Sequence, residues 1–390
     1  MTEPVTGSTR EVATTFLKVG ATAYGGPAIL GVMQAETQER RQWISKPRFL
    51  EGVALVNVLP GATMVQLAIF LGYQRTGWWG GLLAGLCFTA PAFVVMLALT
   101  ATYAAFGVNP ILSSALYGLG PIVLALFGAA VYRLGKNALR TRTHALIAVA
   151  AAAIALPGSL GVAAILAAAG GVGLVLFHSK RTGAIVLAVL ALALLVLPLV
   201  PWSPLPATGA ATPTLGRVAS VFATLGAFTF GGGLSIIALM QEQVVDRLHW
   251  LTPREFVDGL ALGQLMPGPI IMVAAYVGYK TLGVAGAAVA AAASFLPSFV
   301  MMLALMPVFE RVRNLAWARA AIQGIVPSVI GVMAVTLVRL APHAAPDAPA
   351  IVVLLVALVV LVARPISSFK AIGGGAVFGV LRDRVLVWVR

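Results

Sequence analysis

Two short motifs carry the chemistry open to this chain, and each is written twice. Tyr24-Gly25-Gly26-Pro27 answers Phe230-Gly231-Gly232-Gly233, and Leu59-Pro60-Gly61-Ala62 answers Met266-Pro267-Gly268-Pro269. Each lies within an apolar stretch rather than a polar loop. Proline deletes a backbone donor and glycine is a poor helix former, so each motif is expected to break a helix. Inside hydrocarbon, such a break survives only where protein or a watery cavity surrounds it. The helix that restarts past the break presents unpaired N–H groups and the positive end of its dipole, which suits an anion. The candidate substrate-binding positions are therefore Gly25, Gly26, Pro60, Gly61, Ala62, Thr63, Gly231, Gly232, Pro267 and Gly268. Four breaks, related in pairs, could converge on one small anion. The competing reading is packing glycines and kink prolines, both common in transmembrane helices. Repetition of both motifs at matching places favours the binding reading. Gly80-Gly81 and Gly170-Gly171 lack clear counterparts and read as close-packing sites.

Polar residues beside the breaks extend the candidate site. Asn57 and Gln264 are equivalent, three residues before each Pro-Gly. An amide there either offers donors without fixed charge or satisfies a freed carbonyl. Gln66 has no amide counterpart, which weakens its case. Lys18 is the one cation embedded in the first apolar stretch; it either neutralises an anion or snorkels to the surface. Glu51 and Asp258 are equivalent acids at the mouth of the second helix of each half. They either couple protons and exclude cations or simply complement a helix N-terminus. Glu39-Arg40 and Asp246-Arg247 read as interfacial charge clusters.

Other chemistries are excluded. The four histidines show no HExxH spacing, and there is no GxxxxGK[ST] loop to bind ATP phosphates. A lone Cys87 allows neither an internal disulfide nor a cysteine metal site. No metal or cofactor is expected. The absence of a His, Cys or Ser catalytic constellation argues against an enzyme. The formal charge of +14 comes from basic residues between apolar segments, such as Arg133–Arg142, rather than from one soluble face. That is the positive-inside pattern of membrane loops, not a nucleic-acid footprint.

The elements that must position these motifs are membrane helices. Hydrophobic residues make up 60% of the 390 and charged residues only 10%, too little charge for a soluble chain of this size to cover itself. Apolar stretches recur at Gly80–Phe106, Ile111–Tyr132, Leu160–Phe177, Thr182–Pro201, Val284–Phe309 and Ala350–Ala363. Several reach the ~17–20 residues a spanning helix needs. The polar first dozen residues show no cleavable leader, so insertion is expected to use the first mature helix.

The same chain contains two copies of one unit. Phe16, Gly20, Tyr24-Gly25-Gly26 match Phe222, Gly226, Phe230-Gly231-Gly232 at an offset of 206. The offset slips to 207 for Met33-Gln34, Trp43, Phe49 and Pro60-Gly61, then returns to 206 at Gly72-Tyr73, Pro91, Gly118 and Pro121. Ordered matches of Trp, Glu-Arg and Pro-Gly are not shared composition. The expected fold is an all-α polytopic membrane protein: two inverted-topology repeats of about six helical elements with broken helices, plus one connecting helix. The N-terminal repeat with its connecting helix takes residues 1–200, a Pro/Ala/Thr-rich linker 201–216, and the C-terminal repeat 217–390. Basic connections at Arg133–Arg142, Lys180–Arg181, Arg311–Arg319 and Arg364–Lys370 are assigned to the cytoplasmic side, against which the Arg40–Arg48 segment and the C-terminal arginines run.

The repeated pattern FLxxGAxxYGGP…MQxxxxxRxxW…FxxGxALxxxLPGA resembles the chromate ion transporter family in its long two-domain form. The resemblance covers about residues 14–135 and 220–340. Tyr24 stands where phenylalanine is usual, Ala62 where the second half has Pro269, and Gly233 where the first half has Pro27. The resemblance implies export of chromate driven by membrane energetics, chromate resistance, and multi-pass placement in a cell membrane, a bacterial inner membrane being expected. Sulfate is the natural structural mimic, and a site of N–H groups and amides has little reason beyond size to tell the two apart. Transport of another oxyanion such as sulfate is the alternative, and a membrane assembly factor or enzyme is the reading from a different class. The lipid bilayer is the expected partner, nucleic acid is not, and a homodimer stays open.

Overall fold

The computed structural model describes residues 7–23, 26–106, 110–158, 160–196, 212–230, 235–308, 315–364, 366 and 368–389. Among these residues there are helices and no strands. The first half runs α1 (Thr9–Thr22), α2 (Gly26–Gln34, continuing as a π-helix over Ala35–Arg40), α3 (Lys46–Val58), α4 (Thr63–Phe106), α5 (Pro110–Ala138), α6 (Arg142–Ala155) and α7 (Val162–Phe177). Helix α8 (Lys180–Val196) connects to the second half. There follow α9 (Leu215–Ala227), α10 (Ser235–Met240, with a π-helix over Gln241–Arg247), α11 (Pro253–Leu265), α12 (Val273–Leu305), α13 (Ala316–Ala344), α14 (Ala348–Ala363) and α15 (Ser368–Val389). Among the described residues each half shows seven helices, the glycine motif falling in sequence between α1 and α2 and between α9 and α10. Helix α9 begins at Leu215, where the Thr214 hydroxyl caps it by accepting from the Arg217 N–H. Residues 201–211 of the expected linker lie outside the described residues.

The repeat is visible in backbone detail. The π-helices recur at equivalent places, and Gln42 and His249, each just after one, both take positive φ (51° and 53°). Thr76 and Gly77 leave helical geometry at φ −140° and +70°, and Leu282 and Gly283 copy them at −140° and +63°. At both places the chain reverses. A methyl group on Gly72 would lie 2.3 Å from the Gly80 carbonyl oxygen, and one on Gly278 would lie 2.2 Å from that of Gly286. Only glycine allows such contact between backbones eight residues apart. Exposed Trp78 and Trp79 follow the first reversal, as suits the membrane interface.

Among the described residues, four segments are long and apolar enough to cross a membrane: Thr63–Phe106, Ser114–Ala138, Ile270–Leu305 and Ala316–Ala344. Large apolar side chains such as Val94, Leu146, Val189, Val300, Val338 and Val359 are exposed, which is how a lipid-facing surface is made. Equivalent helices pack antiparallel. Gly81 of α4 faces Leu303 of α12 and Gly85 faces Phe299; Gly120 of α5 faces Ala344 of α13 and Gly135 faces Ile330. Antiparallel pairing of equivalent helices is the geometry of an inverted repeat.

The halves are also interlocked. Helix α5 packs on α14 and α15 of the other half, and α13 packs on α6 and α7. Glycine sets both crossings: a methyl on Gly118 would stand 2.0 Å from the Gly375 carbonyl, and one on Gly324 would stand 1.9 Å from that of Ala169. Arg133 donates to the Leu361 carbonyl at the end of α14, and Arg339 donates to those of Ala155 and Leu156 at the end of α6. Each arginine satisfies the C-terminus of a helix from the opposite repeat. Helix α8 packs on α7 and shows a mostly exposed surface.

Candidate functional site

The broken helices are hairpins. After Pro60-Gly61 the chain turns back, so that Gly52 of α3 abuts the Phe70 ring of α4. In the second half Tyr276 donates to the Glu255 carbonyl and Lys280 pairs with Glu255 at 2.8 Å. Helices α1 and α2 fold back in the same way. Lys18 meets Glu36 at 2.7 Å, and the Trp43 indole donates to Glu11. The first half therefore contributes two hairpins, and α11 with α12 repeats the second of them, the Pro-Gly motif lying at the tip in each half.

The tips meet across the pseudo-symmetry. The Gly61 N–H donates to the Thr229 carbonyl at 2.7 Å, and the equivalent Gly268 N–H donates to the equivalent Ala23 carbonyl at 3.0 Å. The end of the first helix in each half is thus satisfied by the Pro-Gly tip of the other. Gly61 and Gly268 take φ of +121° and +99°, conformations that favour glycine. The tips lie against the interior of the apolar arms of the long helices, well away from the arm ends. A methyl on Gly61 would meet Ser298 Oγ of α12 at 2.5 Å, and one on Gly268 would meet the Ala92 methyl of α4 at 2.9 Å. An arm such as 77–106 rises about 45 Å at 1.5 Å per residue, so its midpoint falls near the bilayer centre.

The two tips are not chemically alike. Beside the first, Ala62 donates its N–H to Ser298 Oγ at 2.7 Å. Beside the second, Pro269 has no N–H and Ala92 has no acceptor, so the pair of differences is self-consistent. Gln66, fully buried, sends Nε2 to the Pro60 carbonyl at 2.6 Å. That bond fixes the amide orientation, because a carbonyl must meet the nitrogen. Its Oε1 is then left buried without a partner, as is Ser294 Oγ on the next turn of α12 from Ser298. A buried unpaired polar atom costs about 1–3 kcal/mol. The second tip has Met272, Phe88 and Ala92 in these places.

The expected site residues fall into three groups. Pro60, Gly61, Ala62, Thr63, Pro267 and Gly268 form the tips, with Thr63 buried as the first residue of α4. Gly26 begins α2, while Gly25, Gly231 and Gly232 lie outside the described residues. The peptide donors of Gly61 and Gly268 are taken by the opposite half, so the N–H groups that reach beyond the break are those of α4's first turn, which have no partner in their own helix. Asn57 is exposed and donates to its own helix at Val53, and Gln264 is half-buried. Lys18 is paired with Glu36, which Arg40 also meets at 2.9 Å, and its side chain is 55% exposed. It stands more than a helical turn from the tip.

Glu51 and Asp258, equivalent in sequence, differ in setting. Glu51 is half-buried beside Arg48. Asp258 is buried, accepts from the Tyr103 hydroxyl of the other half at 3.0 Å, and faces Arg254 at 3.3 Å. Residues missed from sequence are Thr229, Ser294 and Ser298. The substitution of Pro269 for Ala62 together with Ala92 for Ser298 was the available signal.

A cavity of about 470 Å³ lies elsewhere, lined by Gln241, Glu242, Asp246, Arg247, Arg339 and His343 among others. Glu242 there accepts from the Val162 N–H at the start of α7 and pairs with Arg247. Among the described residues, no group of three or more His, Cys, Asp or Glu could hold a metal.

Comparison with known proteins matches this architecture. The family described as Chromate transporter matches residues 10–174 and again 216–380, two segments related by the offset of the repeat and leaving out α8. A chromate transport protein of Cupriavidus metallidurans is 30% identical over 95% of this chain and 92% of its own length. A probable chromate transport protein of Synechococcus elongatus is 31% identical over 87% of this chain and 86% of its own. A chromate transport protein of Pseudomonas aeruginosa is 33% identical over 85% and 80%. No solved structure matches. With a duplicated family match over both halves and an apolar multi-pass architecture, this chain is a membrane protein that belongs to the chromate transporter family.

Proposed function

We propose that this chain is a secondary transporter that carries chromate outward across the membrane, binds it at the hairpin tips, and so confers chromate resistance. The observation that supports this reading is the reciprocal bonding of tips from opposite halves, Gly61 to Thr229 and Gly268 to Ala23. A site where two inverted repeats meet can be opened to either side by rocking one against the other. Peptide and amide donors replace the water around an oxyanion without the cost of burying a fixed cation. An interior-negative membrane favours exit of an anion by about 2.3 kcal/mol per charge per 100 mV. Asp258, buried and held by Tyr103 of the other half, is better placed for coupling than Glu51 or Lys18.

The test is uptake of chromate by everted vesicles, and by liposomes holding only this protein, under an imposed potential. Chromate should enter with the potential and stop when it is collapsed. Vesicles that take up no chromate would sink this reading. Side-by-side uptake of sulfate and molybdate examines the second reading, transport of another inorganic oxyanion.

A further inference from the structure

The two Pro-Gly tips are equivalent in sequence, yet Gln66, Ser294 and Ser298, buried polar residues at the first, have Met272, Phe88 and Ala92 in their places at the second, and the first holds an acceptor with no donor. Gln66 Oε1 is sealed in the protein and unpaired, its Nε2 being fixed on the Pro60 carbonyl. A helical side chain leans toward its own N-terminus, so the Gln66 amide lies back over α4's first turn, whose N–H groups lack partners in their own helix. Donors from the helix end and one acceptor therefore stand together. The named residues of this tip, Pro60, Gly61, Ala62, Thr63, Gln66, Thr229, Ser294 and Ser298, include no charged group, and Lys18, the cation of the first apolar stretch, is occupied by Glu36.

We infer that the first-half tip, around Gln66 and Ser298, is the substrate subsite, and that it takes an oxyanion carrying one proton: hydrogen chromate rather than bare chromate. This rests on the transport reading above and deepens it. The bound O–H would donate to Gln66 Oε1, while the bare oxygens face the N–H groups of α4. A donor-only nest accepts any tetrahedral dianion, but an unpaired acceptor repels one and requires a proton on the ligand. Charge points the same way, because the desolvation cost of an ion grows as the square of its charge and no cation at the tip offsets it. Chromate takes up a proton close to neutrality, whereas sulfate does so only in strong acid and molybdate only in moderate acid. Sulfate is smaller than chromate and molybdate is larger, so rejection of both could not be attributed to size.

Equilibrium binding to the purified full-length protein, with no proton gradient, tests this. Between about pH 6.5 and about pH 7.5 the affinity for total chromate should fall roughly fivefold, tracking the protonated fraction. Selenite, which keeps its proton across this range, should bind with nearly constant affinity. Sulfate and molybdate should bind at least about tenfold more weakly than chromate at the lower pH. Gln66→Met, which installs the second-half residue Met272, should remove the preference of chromate over sulfate. Chromate affinity independent of pH overturns the proposal, as does selenite falling in parallel, which would place the proton on the protein. Sulfate binding as well as chromate overturns it too. The wild-type measurements decide the matter even if Gln66→Met does not fold. Absence of any oxyanion binding or transport would instead bring down the transport reading itself.

Discussion

Ala62 with Ser298 on one tip, and Pro269 with Ala92 on the other, are two solutions to one local problem. The chain restarting after Pro-Gly must either find an acceptor for its next N–H or have none to satisfy. Ser298→Ala should therefore cost about 1–3 kcal/mol by stranding the Ala62 N–H. Adding Ala62→Pro should recover most of that loss, since it copies the second tip. Thermal melting of the four proteins in detergent reads the coupling, and a double variant less stable than either single one would refute the pairing. At Gly61 a methyl meets both an unfavourable φ and the Ser298 hydroxyl at 2.5 Å, whereas at Gly170 it meets only Ile325 side-chain carbons at 3.3 Å. Gly61→Ala should cut transport at least about tenfold, and Gly170→Ala should leave it near normal. Equal losses would mean that the tip is packing and not a site.

At the scale of elements, the molecule is assembled by close backbone crossings. Gly324 on Ala169 and Gly118 on Gly375 are the same crossing made twice, with α13 lying on α7 and α5 on α15. Small residues are what let membrane helices approach this closely, and dispersion and weak C–H contacts then hold them. Gly324→Val and Gly118→Val should each destabilise the fold by about 1–3 kcal/mol. Gly373→Val, where a methyl meets nothing within 4 Å, should be close to neutral. Melting temperatures or yields of folded protein compare the three directly; a Gly373 variant as damaging as the others would discredit the packing argument. Outside the spanning segments, Asp347 caps α14 through the Ala350 N–H and also meets Tyr117 and Arg382. The Tyr117 hydroxyl, with that cap and the Arg382 guanidinium, holds its carboxyl below the usual carboxylate range.

For the whole molecule, antiparallel packing of α4 on α12 and of α5 on α13 makes the repeat an inverted one, and the loop charges agree only in part, since the Arg40–Arg48 segment runs against them. Gln42 and His249 are equivalent, exposed and just beyond the two π-helices. In a Cys87→Ser background, Gln42→Cys and His249→Cys should react with a membrane-impermeant thiol reagent from opposite faces. Labelling of both from one side would rule out inversion. The exchange of α6 and α7 against α14 and α15 also makes each repeat depend on the other for its helix partners, so the duplication is a single interlocked body.

Much of this was legible in the sequence because it depends on local chemistry repeated in order. Apolar composition dictates a membrane solvent, glycine and proline dictate where helices must break, and a near-constant offset dictates two copies of one unit. Those features survive without knowledge of contacts. Three decisions belonged to the tertiary structure alone. The Gly61 and Gly268 donors, expected to face an anion, are consumed by carbonyls nearly 170 and 250 residues away in the chain. Gln66, unpromising as a single-copy amide, is buried at the tip with an acceptor to spare, while Asn57 turns outward. Asp258 and Glu51, alike in position, part company because Tyr103 reaches only the former among the bonds described. Where a polar group finds its partner depends on which distant helix packs beside it, and no spacing along the chain encodes that.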